Sequence, residues 1–407
     1  MKIMFMSDNI SFQPTGFARE SRQICRCLRD AGHDIVHIGC HSPNHNILDY
    51  EGMKVYSVEG MGEELLMKQI LSLEKPDLFI TFWDMRKLMH IVNIDRFIKC
   101  PWLNYYLLDN GPLPWEYYCI YSLEQMNVIP ISQFLKDAFD EVGIKTLDNI
   151  PLGTDIDEFY PLPIDEKTEL RKNALGDNAD KVVFGFIGKN MPRKNIPLLM
   201  EAFSKLPQKI KDDSILLLHT QAAMYENNNM NEMQTGHDLV NLRKFLYKEK
   251  NILFSKTIGD FNYDMNKIYN LFDFGVSATF QEGWGKCTSE GMSSGIPMII
   301  TDVSTSKEIC GDDYPFIVKS GASNLFLGVS INANYPNVDD FTKKMEEAYY
   351  LKRADPKEYE ELCIKSRERI VNGLSRKCTN AKWIQLIDSL KDEAGWENKY
   401  LFEEMII

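Results

Sequence analysis

The chain lacks any long apolar run. Nowhere in its 407 residues do consecutive apolar positions approach the ~18–20 needed to cross a bilayer, which excludes a helical membrane span. Ile3 to Met6, near the start, are too few for a signal peptide. It also lacks a C-x-x-C pair. Its nine cysteines are odd in number and scattered, which reads as reduced thiols in a cytosol-like compartment. Basic charge is short: 46 Lys and Arg face 59 Asp and Glu, a formal net charge of −13. Such a balance excludes a protein built to coat nucleic acid nonspecifically, while leaving room for a local basic patch. Short-period repeats and low-complexity tracts are missing. The expectation is a cytoplasmic protein, at most peripheral to a membrane.

What is present suffices for two domains. Length sets that number, and 44% hydrophobic residues supply the cores. Strands and helices alternate from the start. Strands are expected at Ile3–Met6, Asp34–Ile38, Lys54–Val58, Asp77–Phe82, Trp102–Leu108, Val128–Ile131 and around Asn149–Pro151. Helices are expected over Phe17–Ala31, Glu63–Leu73, Trp115–Met126 and after Ser132, a plausible N-cap. Alternation of this kind predicts a parallel, doubly wound sheet. A polar stretch, Pro161 to Lys167, reads as a linker. A second α/β series begins at Val182–Gly188, includes a strand at Ile215–His219, and carries a long asparagine-rich loop, Glu226–Gly236, whose length and polarity predict mobility. The tail, Thr379–Ile407, reads as helical, broken near Gly395. The expected division is therefore 1–160, completed by the C-terminal helix 381–407, and 161–380, with a cleft between the two.

Two charge patterns stand out. Arg19, Arg22, Arg26 and Arg29 share one face of the first helix. The ordinary reading is a solvated face; the sharper one is a docking strip for an anionic lipid headgroup or nucleic-acid phosphate. His33, His37, His41 and His45 recur every four residues, but Gly39 and Pro43 interrupt any helix, so no metal site is expected.

The chemistry concentrates in Phe280–Pro297. Glu282 and Glu290 lie eight positions apart around the turn Gly283-Trp284-Gly285, between apolar segments that read as strands. This places a tight loop and a helix N-terminus at the carboxyl end of a strand, where open α/β sheets bind ligands. Gly285, Lys286 and Cys287 would present amides to an anion there. The ordinary reading of Glu290 is complementing the helix dipole, worth ~0.3–1 kcal/mol. Upstream, a strand ends at Gly188, and Lys189, Arg193 and Lys194 crowd the next loop. Those cations suit a diphosphate, or else form a solvated basic turn. At the N-terminus, Pro14-Thr15-Gly16 stands where G-x-G-x-x-G would mark a phosphate loop; alone it reads equally well as a tight turn.

The stretch EGWGKCTSEGMSSGIPMIITDV resembles the Glu-x7-Glu signature of retaining glycosyltransferases with the GT-B fold, and more narrowly family 4, the glycosyl transferases group 1. IGKNMPRKNIPLLMEAF resembles that family's basic loop and following helix, NIPLGTDIDEFYPL the segment closing its N-terminal domain, and VIPISQF the strand and serine before it. The resemblance implies two Rossmann-like domains facing a central cleft, and transfer of a hexose or pentose from a nucleotide diphosphate sugar to a hydroxyl of a glycan, lipid-linked or polynucleotide acceptor. No metal cofactor and no stable protein partner are implied. Residue by residue, it implies that Lys189 and Lys194 grip the diphosphate and that Glu282 lies near the transferred sugar. Glu290 would hold the ribose, the amides of Gly285, Lys286 and Cys287 would face sugar or phosphate, and Gly16 and Gly188 would let backbone approach the donor. Arg193 is an extra cation. Lys189 stands where the family usually has arginine, Asn195 where glycine is common, and Leu108-Asp109 where a His-Asp pair is usual; Asp109 is the retained acceptor-side polar group. Sugar-nucleotide 2-epimerases and non-catalytic binding subunits share this fold and form the alternatives.

Overall fold

A computed structural model describes residues 1–83, 85–89, 91, 94, 97–115, 120, 123, 126–222, 236–258, 264–325 and 330–391. The chain divides into two compact units, Met1–Gly153 together with the segment from Lys377 onward, and Thr154–Arg376.

The first unit opens with β1 (Lys2–Asp8), α1 (Gly16–Asp30) and β2 (Asp34–Cys40). Ile3 to Met6 are wholly buried, as a strand covered on both faces requires. Thr15 starts α1, its hydroxyl accepting the N–H of Ala18 at 3.1 Å, and Ile24, Cys25 and Leu28 bury the inner face. There follow β3 (Asn46–Tyr50), β4 (Met53–Ser57), α2 (Glu64–Glu74), β5 (Leu78–Phe82), β6 (Trp102–Tyr106), β7 (Met126–Pro130) and α3 (Gln133–Glu141). Ser132 caps α3 by accepting the Leu135 N–H at 3.1 Å. The sheet order is β3-β4-β2-β1-β5-β6-β7, parallel except at the β3–β4 hairpin, so strand order reverses between β1 and β5.

Two expectations need correction here. β3 was not expected, because its side chains are mostly solvent-facing, with Ile47 63% exposed, and no apolar stripe announces it. Conversely, Asn149–Pro151 is not a strand. The segment is tied to β7 by Leu147 N–H to Val128 O and Ile150 N–H to Pro130 O, each 2.9 Å, and Pro151 has no N–H to extend a ladder.

The second unit contains α4 (Ile164–Leu175), β8 (Val182–Ile187), α5 (Ile196–Lys205), β9 (Ser214–His219), β10 (Ile252–Phe254), α6 (Met265–Asn270), β11 (Phe274–Ser277), α7 (Lys286–Ser293), β12 (Met298–Thr301) and β13 (Ile317–Val318). A hairpin of β14 (Ser320–Leu325) and β15 (Asn332–Pro336) precedes α8 (Val338–Ala354) and α9 (Pro356–Arg369). Its main sheet is parallel, in the order β10-β9-β8-β11-β12-β13. The reversal falls between β8 and β11. Helix α10 (Arg376–Ser389) carries the chain back to the first unit, where Trp383 meets Tyr105 edge-on at 4.9 Å.

The stretch Pro161–Lys167 is not a linker, and the division falls at Gly153 rather than at residue 160. Pro163 precedes α4, whose first turn holds Asp165 and Glu166, charges that suit a helix N-terminus. Tyr160 and Leu162 donate their N–H groups to Asn266 and Asn270 of α6 at 3.0 and 2.9 Å. The loop expected at Glu226–Gly236 and the helix expected at Trp115–Met126 lie mostly outside the described residues, as does the tail beyond Lys391. Among the described residues no helix is long and apolar enough to cross a membrane.

Candidate active site

The site follows from the topology of the second unit. At a switch point the loops leaving two neighbouring strands turn in opposite directions and open a crevice at their carboxyl ends. Here those loops are the one after β8, with Lys189 to Lys194, and the one after β11, with Phe280 to Gly285. The backbone locks them together. Phe280 N–H and the Thr279 hydroxyl both donate to Arg193 O at 3.0 Å, and Arg193 Nη1 returns a bond to Gln281 O at 2.9 Å.

Glu282 is the focus. Arg193 Nη1 lies 3.0 Å from its Oε1, and Lys194 Nζ donates to its Oε2. Burial alone would raise the Glu282 carboxyl; Arg193 first and Lys194 next outweigh it and hold the group below the usual carboxylate range. Arg193, the extra cation of the sequence reading, is therefore a direct partner of the glutamate. Ser304, in the left-handed region at φ 33°, donates its hydroxyl to Glu282 O. Lys189 is exposed and stands outside this triad. Gly188, just past β8, is also constrained: a Cβ there would meet the Phe186 ring at 3.0 Å.

Helix α7 begins at Gly285 without a side-chain cap, so its first amides lack an acceptor from their own helix. The Lys286 N–H is an exception among the expected anion-facing amides, donating back to Trp284 O at 2.8 Å. Burial pushes the Cys287 thiol up to about 11, with the charge of Glu290 adding to it, so this cysteine is no thiolate nucleophile. Glu290 is buried and accepts the phenol of Tyr269 at 2.9 Å. The β14–β15 hairpin braces the same loop. Asn334 N–H donates to Phe280 O and Gln281 Nε2 to Asn332 O, both at 2.9 Å, while the Tyr335 ring packs against Phe280 at a tilt of 39° with ring centres 4.5 Å apart.

The other expected residues belong to the first unit. Gly16 opens α1, and a Cβ there would meet nothing within 4 Å. Asp109 follows β6 and is half-buried. At the switch point of that sheet stands a carboxylate that the sequence reading missed. Asp8 accepts the Thr15 hydroxyl at 2.6 Å, and its other oxygen lies 3.2 Å from His41 Nδ1 and 3.8 Å from Lys87 Nζ. The arginine face of α1 is partly paired, with Arg26 and Arg29 still about a third exposed. Arg22 donates to Ile10 O at 2.7 Å, and Arg26 and Arg29 both pair with Glu51 in the β3–β4 turn, the hairpin whose first strand gave no signal. His37 is buried within β2, and burial pushes it down to about 3. Among the described residues no His, Cys, Asp and Glu group is arranged to hold a metal.

Residues 181–328 match the family described as Glycosyl transferases group 1. That match lies within the second unit. In three dimensions the chain is similar to sucrose-phosphate synthase from Thermosynechococcus elongatus, at 16% identity and TM-score 0.73 over 97% of this chain and 100% of that one. It is similar to a glycosyltransferase from Rickettsia africae, at 15% identity and TM-score 0.69 over 96% and 98%. It is similar also to Anabaena HepE in complex with UDP and glucose, at 16% identity and TM-score 0.68 over 96% and 100%. At these identities the likeness is one of fold, and the fold is GT-B. No curated protein matches the chain. The Glu282–Arg193–Lys194 triad lies inside the matched segment, as does Glu290.

Proposed function

We propose that the protein is a glycosyltransferase that moves a sugar, with retention at the anomeric carbon, from a nucleotide diphosphate sugar to an acceptor hydroxyl. The observation that carries this reading is the triad of Glu282, Arg193 and Lys194 at the switch point of the second unit. Two guanidinium and ammonium donors converge on one carboxylate beside an uncapped helix N-terminus. A diphosphate offers the same donors more oxygens, so donor binding would draw Lys194 toward phosphate and leave Glu282 to the sugar.

In this reading Lys194, Lys189 and the first amides of α7 stabilise the charge that develops on the departing diphosphate. The bond from the anomeric carbon to the phosphate oxygen breaks as the acceptor oxygen attacks the same face, and the departing phosphate oxygen takes the acceptor's proton. Glu290 holds the ribose, Gly16 lets backbone approach the donor phosphates, and Asp109 serves the acceptor side. No metal is assigned a role, since the cations and amides supply the positive field.

HepE was solved with UDP-glucose and an Escherichia coli relative in fold with UDP-2-fluoro glucose, which makes UDP-glucose the first donor to try. The test is a thermal-shift panel of UDP-, ADP-, GDP- and dTDP-sugars followed by assay of nucleoside diphosphate release. Stabilisation by one donor, with slow release that Lys194→Ala removes, supports the proposal. Silence with every donor, or inversion at C2 of the free donor with no transfer, overturns it.

A further inference from the structure

We infer that Tyr269 is the positioning residue for Glu290, and that through this contact it sets how well the site reads the ribose hydroxyls of the nucleotide. The inference rests on the assignment of Glu290 to the ribose.

Glu290 is 5% exposed. A glutamate side chain has three rotatable bonds, and a carboxylate that must present one oxygen to a ligand needs the other held. Tyr269 does this: its phenol oxygen lies 2.9 Å from Glu290 Oε2. A phenol is a hydrogen-bond donor and an ionised carboxylate only an acceptor, so Tyr269 donates to Oε2 and fixes the plane of the group that a sugar hydroxyl would donate to. Burial raises the phenol well above its usual range, and the nearby Cys287 and Glu290 raise it further. Tyr269 therefore stays protonated and keeps donating.

The phenol is itself fixed from two sides. Its ring meets Phe159 edge-on at 5.7 Å and Phe272 at 6.2 Å. Its helix, α6, is clamped by the segment that opens the unit, because Asn266 and Asn270 accept from Tyr160 and Leu162. Asn270 also donates to Tyr160 O at 3.0 Å. Helix α7 is clamped to the same segment, with the Ser293 hydroxyl donating to Phe159 O at 2.7 Å. A glycine inside α7 makes the close approach feasible. A Cβ at Gly291 would meet Met298 Sδ at 2.9 Å and the Tyr269 ring at 3.4 Å, which accounts for glycine where a helix interior disfavours it.

The experiment compares binding of UDP with binding of 2′,3′-dideoxy-UDP, which lacks the ribose hydroxyls, by calorimetry on the full-length protein. Wild type is expected to prefer UDP by about tenfold or more, the yield of a hydrogen bond to a charged group. Tyr269→Phe keeps the ring and its packing, so its melting temperature should stay near wild type while the preference shrinks severalfold. Glu290→Gln should shrink it as well, and the double variant should lose no more than Glu290→Gln alone. A Tyr269→Phe variant with the full wild-type preference, beside a Glu290→Gln variant that has lost it, overturns the inference. So does a double variant clearly worse than Glu290→Gln. Wild type that binds UDP without any preference removes the ribose assignment, and the inference with it, while the transferase reading stands. Wild type that binds neither nucleotide, nor the diphosphate of any other base in the donor panel, sinks that reading as well.

Discussion

Strand β11 carries a cation-bound carboxylate at each end, and the two ends behave differently. Asp273, just before the strand, is 3% exposed. It accepts Arg171 at 3.1 Å and the Val183 N–H at 2.9 Å, with Lys352 at 3.4 Å. Arg171 is committed further, donating to Leu271 O, Ala179 O and Lys181 O at 2.6–3.1 Å. Glu282, just past the other end, keeps 14% of its side chain exposed and takes its two cations from a neighbouring loop. Both carboxyls are held below the usual range against the cost of burial, Asp273 by Arg171 first and Glu282 by Arg193 first. The difference teaches that the ionic group alone does not make a site. Where cation and carboxylate are both tied into backbone at the amino ends of strands, the group is a brace. Where the pair rests on loops at the carboxyl ends, its donors can be reassigned to a ligand.

Removing each carboxylate's support should separate the two roles. Asp273→Ala leaves the mostly buried Arg171 and the half-buried Lys352 without their counter-charge, and should cost ~3–5 kcal/mol of stability, read as a shift of the urea midpoint. The protein that remains folded should bind donor as wild type does. Lys194→Ala should do the reverse, lowering turnover by ~10²–10³ with a melting temperature close to wild type. A Lys194→Ala variant that unfolds early while its turnover per folded molecule is intact would dissolve the distinction. Acid gives a third, smaller effect. A carboxyl whose folded pKa lies below its unfolded value of ~3.9 contributes stability that is complete above that value and is lost as pH falls through it toward the folded pKa. Wild type should therefore lose stability over that window, and Asp273→Asn should show a flatter acid limb. Parallel limbs would mean that Asp273 is not the group responsible.

Much of this was legible in the sequence because it rests on local pattern. The buried strands announce themselves as apolar runs, and the parallel, doubly wound sheets follow from their alternation with helices; the GT-B arrangement was implied only by the resemblance of the Glu282–Glu290 stretch and the basic loop before it. Glu282, Glu290 and Lys194 stand in one recognisable stretch or another. What was hidden depends on long-range packing. Arg193 looked like a spare charge because its partner lies 89 residues along the chain, and only the β8–β11 adjacency brings them together. Tyr269 carries no motif of its own. Asp8 ends a strand as any polar residue might, and His41 and Lys87 reach it from other elements. The arginine face of α1 read as solvated or docking because Glu51 sits on a hairpin whose first strand has no apolar stripe. The linker reading of Pro161–Lys167 failed because proline and acidic residues mark a helix start as readily as a loop.

The smallest effect tests the comparison most finely. Arg193→Lys and Arg171→Lys both keep the charge and lose the planar fork. Arg171 uses that fork on four acceptors, three of them backbone carbonyls, and a lysine cannot reach them all. Its replacement should lower the melting temperature and leave donor affinity alone. Arg193 divides its guanidinium between Gln281 O and Glu282, a geometry an ammonium can partly reproduce. Arg193→Lys should therefore lower turnover only about threefold to tenfold, as expected when one charge-assisted bond is weakened, with unchanged stability. If Arg193→Lys instead destabilises as much as Arg171→Lys, the loops at the carboxyl edge are as tightly braced as the amino edge, and Glu282 is a structural residue rather than part of a donor site.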